Sequence, residues 1–107
     1  ICAPLQCPWG EKALAAYLGC DRESWKAYDS SELVSQSAIA STILIDQGLD
    51  DEFLAEQLKP ELFVTACEQS GQSVDLRMQA GYDHSYYFIS SFMEDHIKHH
   101  QKILIAR

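Results

Sequence analysis

An α/β fold that is incomplete within these 107 residues follows from three features of the sequence. Apolar segments alternate as strand, helix, strand, helix, which predicts a parallel strand pair joined by a right-handed crossover. Ile43, Leu44 and Ile45 form an unbroken, β-branched-rich run suited to a strand covered on both faces. Such a strand expects parallel neighbours on its sides, so the rest of a mostly parallel sheet flanked by helices must come from elsewhere. Each predicted strand also runs into a loop rich in polar chemistry. The segment ILIDQGLDD (43–51) ends in a glycine turn dense in carboxylates, and GYDHSYYF (81–88) carries a histidine. The carboxyl ends of strands are where open α/β sheets present chemistry.

The elements follow in order. Residues 1–10 read as an extended or looped start, broken by Pro4, Pro8 and Gly10. Glu11 to Leu18 is a short helix, with an acid in its first turn and Gly19 just past its end. Asp21 to Asp29 is a helical turn or two carrying Trp25 and Tyr28, and Ser30 and Ser31 cap a further turn through Val34. Residues 35–41 are small and polar, hence a loop. The first strand spans 43–45, and Phe53 to Leu58 is helical. Pro60 suits the first position of a helix that runs through Cys67, with Gly71 past its end. A second strand near 74–78 alternates Val74, Leu76 and Met78. The last helix, Ser85 to Leu104, places Phe88 and Phe92 at i, i+4 beside a row of Ile89, Met93 and Ile97, a broad apolar stripe meant to face a sheet. There are no repeats, low-complexity segments or linkers, so the chain is at most one small domain or part of a larger one.

Composition excludes several classes. Sixteen acidic against eight basic residues give net charge −8, which argues against a nucleic-acid backbone or an anionic membrane surface as partner, although acidity also serves plain solubility. No apolar run approaches the roughly 20 residues of a membrane span. No signal peptide is visible at Ile1-Cys2-Ala3-Pro4, and a start on Ile reads as a piece of something longer. Cys2, Cys7, Cys20 and Cys67 contain no CxxC pair and read as reduced thiols of a cytoplasmic protein rather than as disulfides or a zinc ribbon.

His84 is the candidate catalytic base, because it follows a strand and an upstream carboxylate loop precedes it. The plainer reading is a surface histidine. Asp46, Asp50, Asp51 and Asp83 compete to orient it. Asp46 closes the first strand, where it satisfies backbone groups, and Asp83 is poorly placed to grip its own neighbour's ring. Asp50 and Asp51 lie beyond Gly48, can reach the next loop, and are not separated by spacing. One of them starts the following helix. In α/β-hydrolases the triad runs in chain order Ser, Asp, His, and this chain carries the last two in that order without the first. His96 and His100 share a helical face, but the general base of an HExxH motif and further ligands are lacking, so a structural role at a helix end outweighs a metal site. Cys67 reads as a buried small hydrophobe, and Ser85 as a helix cap without nucleophile-elbow context. Trp9, in a loop, is either core packing or the wall of a pocket.

The segments CPWGEKALAAYLG (7–19), WKAYDSSEL (25–33), ILIDQGLDDEFLAEQLKPELF (43–63) and GYDHSYYFISSFMEDHIKHH (81–100) closely resemble the C-terminal part of the S-formylglutathione hydrolase (esterase D) family, and the resemblance extends over essentially the whole chain. It implies an α/β-hydrolase fold and hydrolysis of S-formylglutathione to glutathione and formate, in cytoplasmic formaldehyde detoxification, with activity on small esters as well. It implies no metal or organic cofactor, and often a homodimer. The family's triad aspartate, the second of its DDxF segment, maps onto Asp51, and its histidine onto His84. Its serine, in a GHSMGG elbow, and its oxyanion loops have no counterpart here, so the N-terminal part of the same enzyme is an expected partner. A small formyl group implies a tight acyl pocket, with Trp9 as a candidate wall. The alternatives are an inactive fragment or subunit that needs that N-terminal segment, and a His-rich metal-binding module.

Overall fold

The structure, a computed structural model, describes residues 7–106, so Cys2 and Pro4 of the expected leading loop lie outside it. The centre is a parallel pair, β1 (Ile43–Gly48) and β2 (Val74–Gln79), in register from Ile43 opposite Val74 to Gly48 opposite Gln79. Three short helices come first: α1 (Pro8–Leu18), α2 (Arg22–Trp25, continued by a 3₁₀ turn at Lys26–Tyr28) and α3 (Ser30–Gln36). Helix α4 (Pro60–Ser70) forms the crossover, and α5 (Tyr86–Ile105) follows β2.

Local chemistry moves several boundaries. Helix α1 starts at Pro8, not Glu11, because a proline at the first position gives up no hydrogen bond, and the Glu11 N–H closes the turn on the Cys7 carbonyl at 2.8 Å. Helix α3 is capped by the Asp29 carboxylate, which accepts the Ser31 N–H at 2.9 Å; Ser30 and Ser31 are its first residues rather than its cap. It runs on to Gln36, two residues past the expected end at Val34. Strand β1 continues beyond Ile45 because its next residue, Asp46, has Arg77 as register partner, so a charge is accommodated inside the ladder. The turn Leu54–Leu58 is π-helical: the Leu58 and Lys59 N–H groups reach back to the carbonyls of Phe53 and Leu54. Helix α4 extends to Ser70 and ends on Gly71, whose φ of 76° favours glycine.

Buried apolar side chains among the described residues gather around Cys7, Leu14, Trp25, Val34 and Cys67. Trp25 donates its indole N–H to the Gly19 carbonyl at 3.0 Å. Buried Gln72 ties the loop after α3 to the head of the sheet, accepting from Ile39 N and donating to the Ser41 and Ser73 carbonyls. The expected stripe of α5 splits. Phe88 and Phe92 pack about Tyr82, whereas Ile89, Met93 and Ile97 are 46–62% exposed. Ile43, Leu44 and Ile45 are half-buried here rather than covered on both faces. No helix among the described residues is long and apolar enough to cross a membrane.

Candidate active site

The two strand ends are drawn together by backbone. The Leu49 N–H donates to the Gln79 carbonyl at 3.0 Å, and the Asp50 N–H to the Tyr82 carbonyl at 2.9 Å. This approach requires glycine at position 48: a Cβ there would lie 2.5 Å from the Asp83 carbonyl oxygen and closer still to that of Tyr82. The carboxylate loop is thus held directly against the histidine loop. Ser85 caps α5 as expected, accepting the Phe88 N–H at 3.4 Å, and Asp83 accepts the Ser85 N–H at 2.9 Å.

Within this frame His84 Nδ1 lies 2.8 Å from Asp51 Oδ2. A carboxylate only accepts, so Nδ1 carries the proton and Nε2 is left with the lone pair, the tautomer a general base requires. The Asp51 side chain is fully buried, while that of His84 is 57% exposed. Asp51 also accepts the Phe53 N–H at 2.8 Å on Oδ1 and the Gln47 amide at 3.0 Å on Oδ2. Burial pushes this carboxyl up, but Phe53, His84 and Gln47 together hold it below the usual carboxylate range. The Phe53 ring meets the imidazole edge-on, with centroids 5.7 Å apart. An open cleft at His84 is bordered by Asp50, Glu52, Phe53, Asp83 and Ser85.

The other candidates fall elsewhere. Asp50 is exposed. Asp46 does more than satisfy backbone: its carboxylate takes the Arg77 guanidinium at 2.6 and 2.8 Å, Gln79 at 2.7 Å and His96 Nε2 at 2.8 Å. Burial raises this carboxyl as well, and Arg77, Gln79 and His96 more than offset it. His99 Nε2 donates to the Thr42 carbonyl at 2.9 Å. His96 and His99 therefore bind across toward the sheet rather than to the helix end, and among the described residues no group of three metal-ligand side chains comes together. Trp9 lies in the first turn of α1 rather than in a loop, and it is 69% exposed rather than core. Its backbone N–H donates to Gln57 Oε1 at 2.9 Å, and its ring does not border the cleft at His84. Cys67 is completely buried and its thiol is pushed up by that burial. Cys7, Cys20 and Cys67 are free. Sequence reasoning missed Gln47 and Phe53 as partners of the pair. Their closeness to Asp51 in the chain was the available signal, but which way they point depends on the turn after Gly48.

Comparison with known proteins gives a consistent result. The family described as "Putative esterase" matches residues 1–99. An S-formylglutathione hydrolase from Rattus norvegicus is 56% identical over 108 aligned residues, covering 99% of this chain and 38% of its own length. One from Arabidopsis thaliana is 47% identical over 97% of this chain and 37% of its own length. A solved S-formylglutathione hydrolase from Agrobacterium tumefaciens superposes with a TM-score of 0.87 at 48% identity, over 94% of this chain and 36% of that one. The chain therefore spans under two-fifths of the length of these relatives.

Proposed function

The chain belongs to the putative esterase family, and on that premise we propose that it is the acid–histidine portion of a serine thioesterase that hydrolyses S-formylglutathione to glutathione and formate. The observation that carries this reading is the Asp51–His84 pair, 2.8 Å apart, at the carboxyl ends of two adjacent parallel strands. The name borne by the relatives supplies the substrate. Small esters are expected as side substrates.

The nucleophilic serine comes from a segment outside these residues. The chain order Ser, Asp, His supports placing these 107 residues downstream of it, as the C-terminal segment of a single α/β-hydrolase domain. That serine attacks the thioester carbonyl while His84 Nε2 takes its proton, and Asp51 steadies the imidazolium through Nδ1. The tetrahedral intermediate collapses, the C–S bond breaks, and the His84 proton goes to the departing sulfur. His84 then takes a proton from water as it attacks the formyl ester, and returns it to the serine as formate leaves. No metal or organic cofactor enters these steps. The free thiols are in keeping with a cytoplasmic location, and the family resemblance with a homodimer, which light scattering of the full-length enzyme checks.

The experiment is His84→Ala in the full-length enzyme. Turnover should fall by about 10⁴-fold or more with the fold intact. A variant that keeps a tenth of the activity removes His84 from the mechanism.

A further inference from the structure

We infer that Gln47 is a positioning residue for the Asp51–His84 pair, its carboxamide fixing which carboxylate oxygen faces the histidine and moderating the charge on that oxygen. The inference rests on reading His84 as the base. Gln47 is buried near the end of β1, 8% exposed. Its Nε2 donates to the Gly48 carbonyl at 3.1 Å and to Asp51 Oδ2 at 3.0 Å. Both partners only accept, so the amide must present nitrogen to them, and both of its N–H groups are used.

The consequence follows from the geometry of the carboxylate. Oδ1 is held by the Phe53 N–H, and Oδ2 is shared by Gln47 and His84. Without Gln47 the carboxylate would be held by the Phe53 N–H on Oδ1 and by the half-exposed imidazole on Oδ2, leaving its rotation about the Cβ–Cγ bond less restrained. The Gln47 donor comes from a strand instead, which is the more rigid anchor. It has a second effect. The neutral Gln47 N–H and the His84 ring share one oxygen, Oδ2, so the amide draws on the same negative charge that faces the imidazole. Gln47 also grips the carbonyl of Gly48, the residue at which β1 meets the histidine loop. One side chain therefore links the close approach of the loops to the orientation of the acid.

The test uses the full-length enzyme, with Gln47→Met to remove the donor at similar length and Gln47→Glu to make it pH-dependent. The readouts are kcat, KM and the pH profile of kcat/KM on S-formylglutathione and on a 4-nitrophenyl ester, with the downfield NMR resonance of the His84 Nδ1 proton. Gln47→Met should lower kcat about tenfold or more, as a misaligned base does, with KM within about twofold. The acidic limb of its pH profile should move, and the Nδ1 proton should shift. In Gln47→Glu two carboxyl groups in hydrogen-bond contact hold one proton between them, and a protonated Glu restores the single donor to Asp51, so its deficit should shrink as pH falls. A wild-type pH profile and an unmoved Nδ1 proton in Gln47→Met overturn the inference. If Gln47→Met does not fold, a Gln47→Glu deficit that is constant across pH overturns it. Inactive His84→Ala beside wild-type-like Gln47→Met removes the role of Gln47 alone. Active His84→Ala removes the catalytic reading, and the Nδ1 shift still decides whether Gln47 acts on the pair.

Discussion

Asp50 and Asp51 are adjacent, chemically identical, and placed oppositely. Asp51 is 6% exposed and bonded to His84, Gln47 and the Phe53 N–H, whereas the Asp50 side chain is exposed at the rim of the cleft. Asp51→Asn should reduce kcat by roughly 10³–10⁴-fold, because an amide can donate to Nδ1 and hold the imidazole in the wrong tautomer. Asp50→Asn should cost no more than a few-fold. Kinetics of both variants in the full-length enzyme, with thermal melts to check folding, decide the matter. Equal losses in the two would undo the distinction. Spacing alone could not separate these residues, since both follow Gly48 and either could reach the next loop. What distinguishes them is a backbone event, the Asp50 N–H turning onto the Tyr82 carbonyl, which leaves the next side chain facing inward. His84 was easier to find, because a histidine after a strand and before a strong amphipathic helix is conspicuous in any sequence.

At the scale of elements, Asp46 joins β1 to β2 through Arg77 and Gln79, and to α5 through His96. These donors hold its carboxyl below the usual range despite burial. A depressed carboxylate contributes stability that is complete above its unfolded pKa of about 4 and is lost as pH falls through the lower folded value. Asp46→Asn should therefore cost about 2 kcal/mol at neutral pH, the scale of charge-assisted hydrogen bonds, and the gap to wild type should narrow below about pH 4. Thermal melts of the full-length enzyme and its Asp46→Asn variant from pH 7 downward measure this. A gap that stays constant across that range would mean the ionised carboxylate is not what matters. Element types were largely legible: strands, crossover helix and long amphipathic helix follow from periodicity and from Pro60 and Gly71. The Asp46 node was not. Arg77 becomes its neighbour only once the strand register is known, and His96 lies fifty residues away in the chain. The histidine face was legible only in part, because His96 and His99 turn to the sheet, whereas the sequence paired His96 with His100.

For the molecule as a whole, the open sheet predicted from the Ile43–Ile45 run reappears as exposed area. The surface is 7347 Å², against roughly 6000 Å² for a compact monomer of this mass. The radius of gyration is 14.9 Å, against about 13 Å for a compact chain of this length. Exposed apolar side chains contribute to it. Helix α5 buries none of its described residues, and Ile97, Leu104 and Ile105 are 62–74% exposed along it. At about 25 cal/mol per Å² of apolar surface, leaving such a row in water forgoes several kcal/mol, comparable to the whole stability of a small domain. Residues 1–107 expressed alone should therefore unfold without a sharp transition and bind a hydrophobic dye, while the full-length enzyme does neither. The isolated segment should also hydrolyse neither S-formylglutathione nor a 4-nitrophenyl ester, because its sequence holds no GHSMGG elbow to supply the nucleophilic serine. Calorimetry, dye fluorescence and both assays on the same preparation test this together. A cooperative melt with activity that labels Ser85 with a serine-directed phosphonate would show that the segment is self-sufficient, and the split of the triad across two parts of a longer chain would have to be given up.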